Sequence, residues 1–196
     1  MAQKIAFDID GVVLDFVSAF CAVCQQEGYA LRYEEITEYH MGKVLGVADE
    51  ELYRLLDLTH DSGLIRPYPG SVEGLKKLRD NGWEIFFVTS RPERLRNQTL
   101  AALQEADIYH DRLIFADARR KAYHLTGVEA VVEDSLEEAQ ELLARGLRVI
   151  MFRHPWNATG ERRYPGISWI GSWAEFGPVL LNLKTAPSKH RKSSKR

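Results

Sequence analysis

The sequence predicts an α/β protein with a doubly wound parallel sheet, because short apolar runs alternate with helical patterns along its 196 residues. The apolar runs are continuous and show no polar alternation, which is typical of parallel strands covered on both faces. Six such runs are predicted as strands, at residues 5–9, 85–89, 113–115, 130–132, 149–152 and 167–170.

Helical patterns lie between these strands, over residues 71–80, 92–105 and 135–145. The first has an apolar residue at every third position and is followed by Asn81-Gly82, a common helix end. Pro92 lies near the first turn of the second helix, where proline is well tolerated. In the third, Ser135 followed by Glu138 forms a capping box.

One long stretch after the first strand has no convincing strand pattern. Its helical patterns cover residues 15–27, 34–39 and 49–58. We therefore expect a core domain interrupted by a small helical segment. The predicted division is a core of residues 1–14 and 67–183, an inserted helical segment of residues 15–66, and a tail of residues 184–196.

The net charge of −2 conceals an uneven distribution. The tail carries six Lys and Arg residues and no acid, so it contributes +6 and the rest of the chain sums to −8. An acidic body argues against broad electrostatic binding of nucleic acid. The tail, rich in Lys and Ser and without apolar periodicity, is predicted to be disordered.

The composition also disfavours membrane and secreted classes. The longest apolar run is six residues, at positions 19–24, whereas a membrane span needs about 18 or more. The N-terminal residues lack the apolar core of a secretory signal, and two cysteines make no disulfide framework. A cytoplasmic location is expected.

Two carboxylates end the first strand, at Asp8 and Asp10. Residues i and i+2 of a strand share a face, so both side chains point to the sheet edge where α/β proteins bind ligands. Gly11 permits a sharp turn with exposed N–H groups. Two acids this close repel each other unless a cation lies between them, and their oxygen atoms are the ligands that Mg²⁺ prefers.

A solvated acidic turn is the alternative interpretation of this motif. A calcium-binding EF-hand loop is excluded, because Val13 and Ala19 occupy its glycine and glutamate positions.

Further polar residues follow the later strands. Thr89 and Ser90 end the second strand at the start of a helix, where hydroxyl and N–H groups can bind phosphate oxygens. Glu133 and Asp134 end another strand, and the spacing favours Lys121 as the basic residue, with its neighbours Arg119 and Arg120 left open.

An acid pair, a hydroxyl, a lysine and a second acid pair in this order resemble the haloacid dehalogenase (HAD) superfamily of phosphohydrolases. Within it, three segments resemble the 5′(3′)-deoxyribonucleotidase-like branch, at residues 8–16, 67–71 and 152–157. The resemblance implies a HAD-like, Rossmann-like sheet in which the helical insertion is a cap over the active site.

The resemblance also implies a role for each polar residue. Asp8 would be the nucleophile and Asp10 the general acid and base. Lys121 would pair with Asp8 and the transferring phosphoryl group. The remaining roles are phosphate binding by Gly11, Thr89 and Ser90, Mg²⁺ binding by the Asp8 side chain, the Asp10 backbone carbonyl and Asp134, and a contact through water by Glu133.

The cap of this superfamily closes over the site and contacts the leaving group. Tyr39 and His40 are the candidates for that contact, because they lie in an irregular stretch. Phe16 and Phe20 occupy an apolar helix face and are expected to pack in the core of the insertion.

The resulting hypothesis is an Mg²⁺-dependent phosphatase that hydrolyses small phosphorylated metabolites through an aspartyl-phosphate intermediate, with nucleoside 5′-monophosphates as candidate substrates. A sugar phosphomutase of the same superfamily is the alternative enzyme. A nucleic-acid-associated protein that works through its basic tail is the alternative from another class.

Overall fold

Six parallel strands form one sheet in the order β3-β2-β1-β4-β5-β6. The computed structural model describes residues 2–164 and 167–185, so most of the predicted disordered tail lies outside the described residues. The strands are β1 (Gln3–Phe7), β2 (Trp83–Thr89), β3 (Arg112–Phe115), β4 (Ala130–Glu133), β5 (Arg148–Phe152) and β6 (Ser168–Ile170).

Eight α-helices accompany the sheet in the described residues. They are α1 (Phe16–Gln26), α2 (Met41–Leu45), α3 (Asp49–Asp61), α4 (Ser71–Asp80), α5 (Arg96–Glu105), α6 (Leu136–Ala144), α7 (Gly160–Arg163) and α8 (Trp173–Thr185). Three single 3-10 turns lie at Tyr33–Glu35, Glu93–Leu95 and Lys121–His124.

Helices cover both faces of the sheet, which confirms the predicted doubly wound fold. On one face Phe176 of α8 packs against Phe7 of the central strand, in a hydrophobic cluster that also contains Leu75 of α4. On the other, Leu142 of α6 packs among Val131 and its neighbours. Each of these buried side chains contributes about 1.5–3 kcal/mol. Continuous apolar strands are the sequence consequence of a sheet buried on both sides.

The central place of β1 fixes where the site forms. β1 pairs with β2 through Phe7 and Phe87 and with β4 through Phe7 and Val132, both in parallel register. The residues that follow these three strands therefore emerge at one edge, which brings the acids after β1 and β4 together with the hydroxyls after β2.

The segment between β1 and α4 has a hydrophobic cluster of its own, here called the helical insertion (residues 15–66). Phe20 and Cys24 of α1 pack with Leu55 of α3, and Cys21 is buried beside them. The helix predicted over residues 34–39 is wrong, since only a 3-10 turn at Tyr33–Glu35 forms. The β-branched Ile36 follows it with a non-helical backbone and is buried in the cluster.

Every helix among the described residues is too short or too polar to span a lipid bilayer.

Candidate active site

A tight turn after β1 presents the first acid pair. The N–H groups of Val13 and Leu14 both donate to the carbonyl of Ile9, at 2.9 Å each. Gly11 closes the turn with a φ of 79°, a conformation that side chains rarely adopt. Asp8 is buried by this turn, whereas Asp10 keeps part of its carboxylate exposed.

Lys121 is the basic residue that the structure brings to Asp8. Its Nζ lies 3.0 Å from Asp8 Oδ1 and 3.0 Å from Glu133 Oε2, and its side chain is buried. Arg119 instead contacts Glu137 at the surface, and Arg120 is exposed. Burial alone would lower the pKa of Lys121, but the two neighbouring acids outweigh burial and raise it.

Asp8, Glu133 and Asp134 form a buried cluster in which one carboxylate oxygen from each residue lies within 4.8 Å of the other two. Both Glu133 oxygens are occupied, one by Lys121 and one by the N–H groups of Asp134 and Ser135. Asp134 Oδ1 is buried with no hydrogen-bond partner among the described residues. Burial raises the pKa of Asp8 to about 8 and that of Asp134 well above its usual value.

These features fit a divalent cation. A buried carboxylate oxygen without a partner is costly unless a cation or proton satisfies it. Oxygen donors suit Mg²⁺, and Asp8 with Asp134 would supply two of them. Gly11 leaves room for this arrangement, because a Cβ there would lie 2.2 Å from Asp134 Oδ2.

Asp10 is not part of this cluster and is held by Arg91, a residue absent from the predicted site. Arg91 donates from Nε to Oδ2 at 2.7 Å and from Nη2 to Oδ1 at 2.6 Å. Its Nη1 donates to Thr99 Oγ1 at 3.0 Å. Burial would raise the pKa of Asp10, but Arg91 outweighs it and holds that pKa below its usual value.

The residues that end β2 take different positions. Thr89 is buried and its Oγ1 accepts the N–H of Arg91 at 3.1 Å. Ser90 is exposed and lines the cavity above Asp8. Arg91 could have been predicted from the sequence, because it is a cationic residue that directly follows the Thr-Ser pair at the end of a strand.

A cavity of about 220 Å³ opens above the acids. One side is polar and includes Arg91, the one cation that lines it among the described residues. The other side is largely apolar and comes mostly from the helical insertion, with Trp156 contributed by the loop after β5. It consists of Phe16, Val17, Ile36, Tyr39, Met41, Leu56, His60 and Trp156.

Of the two residues predicted to contact the leaving group, only one lines the cavity. Tyr39 lines the cavity and is 54% exposed. His40 precedes α2 and does not line the cavity; its Nε2 lies 3.7 Å from Asp49 Oδ1. Phe16, expected to pack, does so against Phe20 but also reaches the cavity wall. His60 and Trp156 complete the wall, and no motif marks His60 in the sequence.

Comparison with known proteins bears directly on this arrangement. The family model described as HAD superfamily, subfamily IIIB (acid phosphatase), matches residues 2–152. A Bacillus cereus protein named "Putative nucleotidase" is 23% identical, with 91% of this chain and 98% of the relative covered. A Halalkalibacterium halodurans protein with the same description is 22% identical, with 79% of this chain and 82% of the relative covered.

Solved structures share the fold. A haloacid dehalogenase-like hydrolase from Streptococcus pneumoniae superposes with a TM-score of 0.67 at 10% identity, covering 91% of this chain and 98% of that one. A structure from Thermotoga maritima titled "putative beta-phosphoglucomutase" gives 0.62 at 19% identity, covering 92% and 99%. With the family model spanning most of the chain, this protein belongs to the haloacid dehalogenase superfamily, subfamily IIIB (acid phosphatase), and is a hydrolase of phosphate monoesters.

Proposed function

We propose that the chain is an Mg²⁺-dependent phosphatase that hydrolyses small phosphate monoesters through an aspartyl phosphate on Asp8, with nucleoside 5′-monophosphates as preferred substrates. The observation that carries the proposal is the position of Asp8 on the cavity wall. Its carboxylate pairs with the Lys121 ammonium and belongs to the acid cluster that contains Asp134 Oδ1, which has no hydrogen-bond partner among the described residues.

In the first step a carboxylate oxygen of Asp8 attacks phosphorus and the bond to the leaving oxygen breaks. Lys121, 3.0 Å from Asp8, favours the ionised nucleophile and stabilises the charge on the transferring group. Arg91 keeps Asp10 ionised in the resting site, so Asp10, on the wall of the same cavity, takes a proton from solvent when substrate binds and gives it to the leaving oxygen. Bound Mg²⁺ would supply positive charge that offsets repulsion between the anionic nucleophile and the phosphate.

In the second step water attacks phosphorus and the bond between phosphorus and the Asp8 oxygen breaks. Asp10, left as a carboxylate, takes a proton from that water. The two hydrogen bonds from Arg91 keep this carboxylate in one orientation at the cavity wall. Inorganic phosphate and the proton held by Asp10 are then released to solvent, and both aspartates return to their starting states.

We propose that the helical insertion acts as a cap that contacts the leaving group. Phe16, Tyr39 and Trp156 give the cavity an aromatic wall opposite the acids. Stacking of a nucleobase on such a wall would stabilise binding by about 1–3 kcal/mol. The names of the two bacterial relatives support a nucleotide substrate.

The test is phosphate release from a panel of phosphorylated metabolites that includes ribo- and deoxyribonucleoside 5′- and 3′-monophosphates, with Mg²⁺ and with EDTA. Release from nucleotides should require Mg²⁺ and fall by at least about 10³-fold in Asp8→Asn. Asp61→Asn, at an exposed acid that ends α3, is the matched control and should keep full activity.

Two results would count against the proposal. Absence of phosphate release from every substrate by folded protein would reject hydrolysis of these esters. Isomerisation of a sugar phosphate without free phosphate would indicate a phosphomutase instead.

A further inference from the structure

We propose that His154 is a positioning residue that joins the helical insertion to the turn carrying Asp8 and Asp10, through hydrogen bonds to Tyr33 and to the Gly11 carbonyl. The inference rests on the proposed function, since it concerns how the cap and the catalytic turn are aligned. His154 follows β5 and is 4% exposed, and it belongs to neither the predicted nor the described set of reacting groups.

The partners of His154 determine which ring nitrogen carries the proton. Nε2 lies 2.6 Å from the carbonyl oxygen of Gly11, which can only accept, so Nε2 carries the hydrogen. In the neutral ring Nδ1 is then an acceptor, and it is in hydrogen-bond contact with the Tyr33 hydroxyl, which donates. Burial lowers the pKa of His154 to about 4, in agreement with a neutral ring.

The ring is also fixed by stacking and by its own loop. It stacks on Trp156 with centroids 4.2 Å apart and on Phe152 at 5.2 Å. Asn157 Oδ1 accepts the N–H of His154 at 2.9 Å, and its amide donates to the carbonyls of Phe152 and Asp134 at 2.8 Å each. The same loop therefore contacts the turn after β1 and the end of β4, where the acid cluster lies.

Tyr33 connects this loop to the cavity wall. It begins the 3-10 turn that leads into Ile36 and Tyr39, both of which line the cavity. Its ring meets Trp156 edge to face at 5.8 Å, and Trp156 itself packs in the cluster of the helical insertion. A displaced Tyr33 would therefore displace part of the wall that faces the leaving group.

The two hydrogen bonds have separate consequences. The bond to Gly11 fixes the turn beside Asp8 and Asp10, so its loss should reduce the rate of the chemical steps. The bond to Tyr33 favours the arrangement in which the wall is complete, so its loss should weaken apparent substrate binding by lowering the competent fraction. The split between kcat and KM distinguishes the two bonds.

Two histidine variants separate them. In His154→Gln the amide nitrogen can replace Nε2 as donor to Gly11, while the acceptor for Tyr33 is lost. In His154→Asn the shorter amide lies near the Nδ1 position, so the donor to Gly11 is lost. Tyr33→Phe keeps the ring contacts with Trp156 and removes only the hydroxyl.

We expect Tyr33→Phe and His154→Gln to raise KM about fivefold with kcat nearly unchanged, as for one neutral hydrogen bond. The double variant should match either single one, because all three lack the same bond. His154→Asn should lower kcat about 10- to 100-fold. Leu103→Ala, a buried change in α5 away from the cavity, controls for lost stability and should leave both constants unchanged.

Hydrogen exchange gives a readout that does not depend on turnover. Tyr33→Phe and His154→Gln should speed exchange at the Glu35 and Ile36 amides, whereas His154→Asn should speed it at Val13 and Leu14 instead. Equal loss of kcat in His154→Gln and His154→Asn would overturn the inference. So would additive effects of Tyr33→Phe and His154→Gln, or exchange unchanged at all four amides. A wild-type protein inactive on every ester would reject the proposed function, while the exchange pattern would still decide the role of His154.

Discussion

Arg91 holds both oxygens of Asp10, and at the residue scale this pair controls the proposed acid and base. Replacing Arg91 by Gln should raise the pKa of Asp10, because Arg91 is what lowers it. The limb of the pH–rate profile that Asp10 controls should move to higher pH. We also expect kcat to fall about 10- to 100-fold, because the carboxylate loses its fixed orientation.

The matched control for this variant is Arg96→Gln, which removes an exposed ion pair with Glu93 at a position that does not line the cavity. It should leave both the profile and kcat unchanged. A pH–rate profile that is identical in Arg91→Gln and wild type would show that Arg91 does not act on Asp10.

The raised pKa of Asp8 predicts how the stability of the metal-free protein depends on pH. Burial raises its pKa to about 8, so between its ordinary value and about pH 8 the native state binds a proton that the unfolded state lacks. Stability should therefore fall as pH rises through this interval. Asp8→Asn, which cannot ionise, should raise Tm in EDTA by about 4 °C or more at about pH 9, and by less at about pH 5.

Thermal unfolding at the two pH values checks this prediction. Addition of Mg²⁺ should stabilise the wild type most at the higher pH, since the cation binds the ionised acids. A wild-type protein in EDTA that is as stable as Asp8→Asn at both pH values would contradict it.

At the scale of elements, the turn after β1 depends on a residue without a side chain. Gly11→Ala places a Cβ 2.2 Å from Asp134 Oδ2 on a backbone with φ of 79°. Gly28→Ala is the matched control, because its φ of 89° is equally strained but nothing lies within 4 Å. Both should lose about 1 kcal/mol or more of unfolding free energy from the backbone conformation.

Only Gly11→Ala should also weaken Mg²⁺ binding, by about tenfold or more, because it displaces one of the proposed ligands. Calorimetric titration with Mg²⁺ measures the difference between the two variants. Equal Mg²⁺ affinity in both would show that Asp134 is not displaced or does not bind the cation.

The strands and most helices follow from local patterns, and so they are predictable. Each apolar run that was long enough for a buried strand became one, and Ser135 caps α6 as its spacing with Glu138 indicates. Among the predicted helices, the one over residues 34–39 does not form, because Ile36 is buried in the hydrophobic cluster with a non-helical backbone. Local propensity carries no information about such a packing partner. The sequence patterns also do not predict α2, α7 and α8.

The pairs that complete the site are less predictable because they join distant parts of the chain. Asp10 and Arg91 are 81 residues apart, and Tyr33 and His154 are 121 apart. Parallel topology places strand ends together, so Asp8 and Asp134 can be grouped from sequence, and the spacing and the family resemblance add Lys121. The orientation of an arginine within a loop, or of a cap residue over the sheet, depends on packing that no periodicity records.

At the scale of the whole molecule, the basic tail and the acidic body should act independently. Deletion of residues 186–196, which follow α8, should leave kcat and KM on a small phosphate ester within about twofold of the full-length values. The same deletion should abolish any retention on RNA or DNA at low salt, because the remaining chain is acidic.

Turnover and nucleic-acid retention are measured on the same two proteins. A truncated chain that loses turnover would assign the tail to the catalytic unit. A truncated chain that still binds nucleic acid would place the binding surface on the body.

The two buried cysteines of α1 provide a chemical probe for opening of the helical insertion. Burial raises the pKa of Cys21 to about 11 and that of Cys24 to about 12, so the folded chain holds almost no thiolate at neutral pH. An alkylating reagent should therefore label these cysteines only when α1 separates from α3. The rate of labelling therefore reports how often the helical insertion opens. A bound substrate or phosphate that holds the cavity closed should slow the labelling.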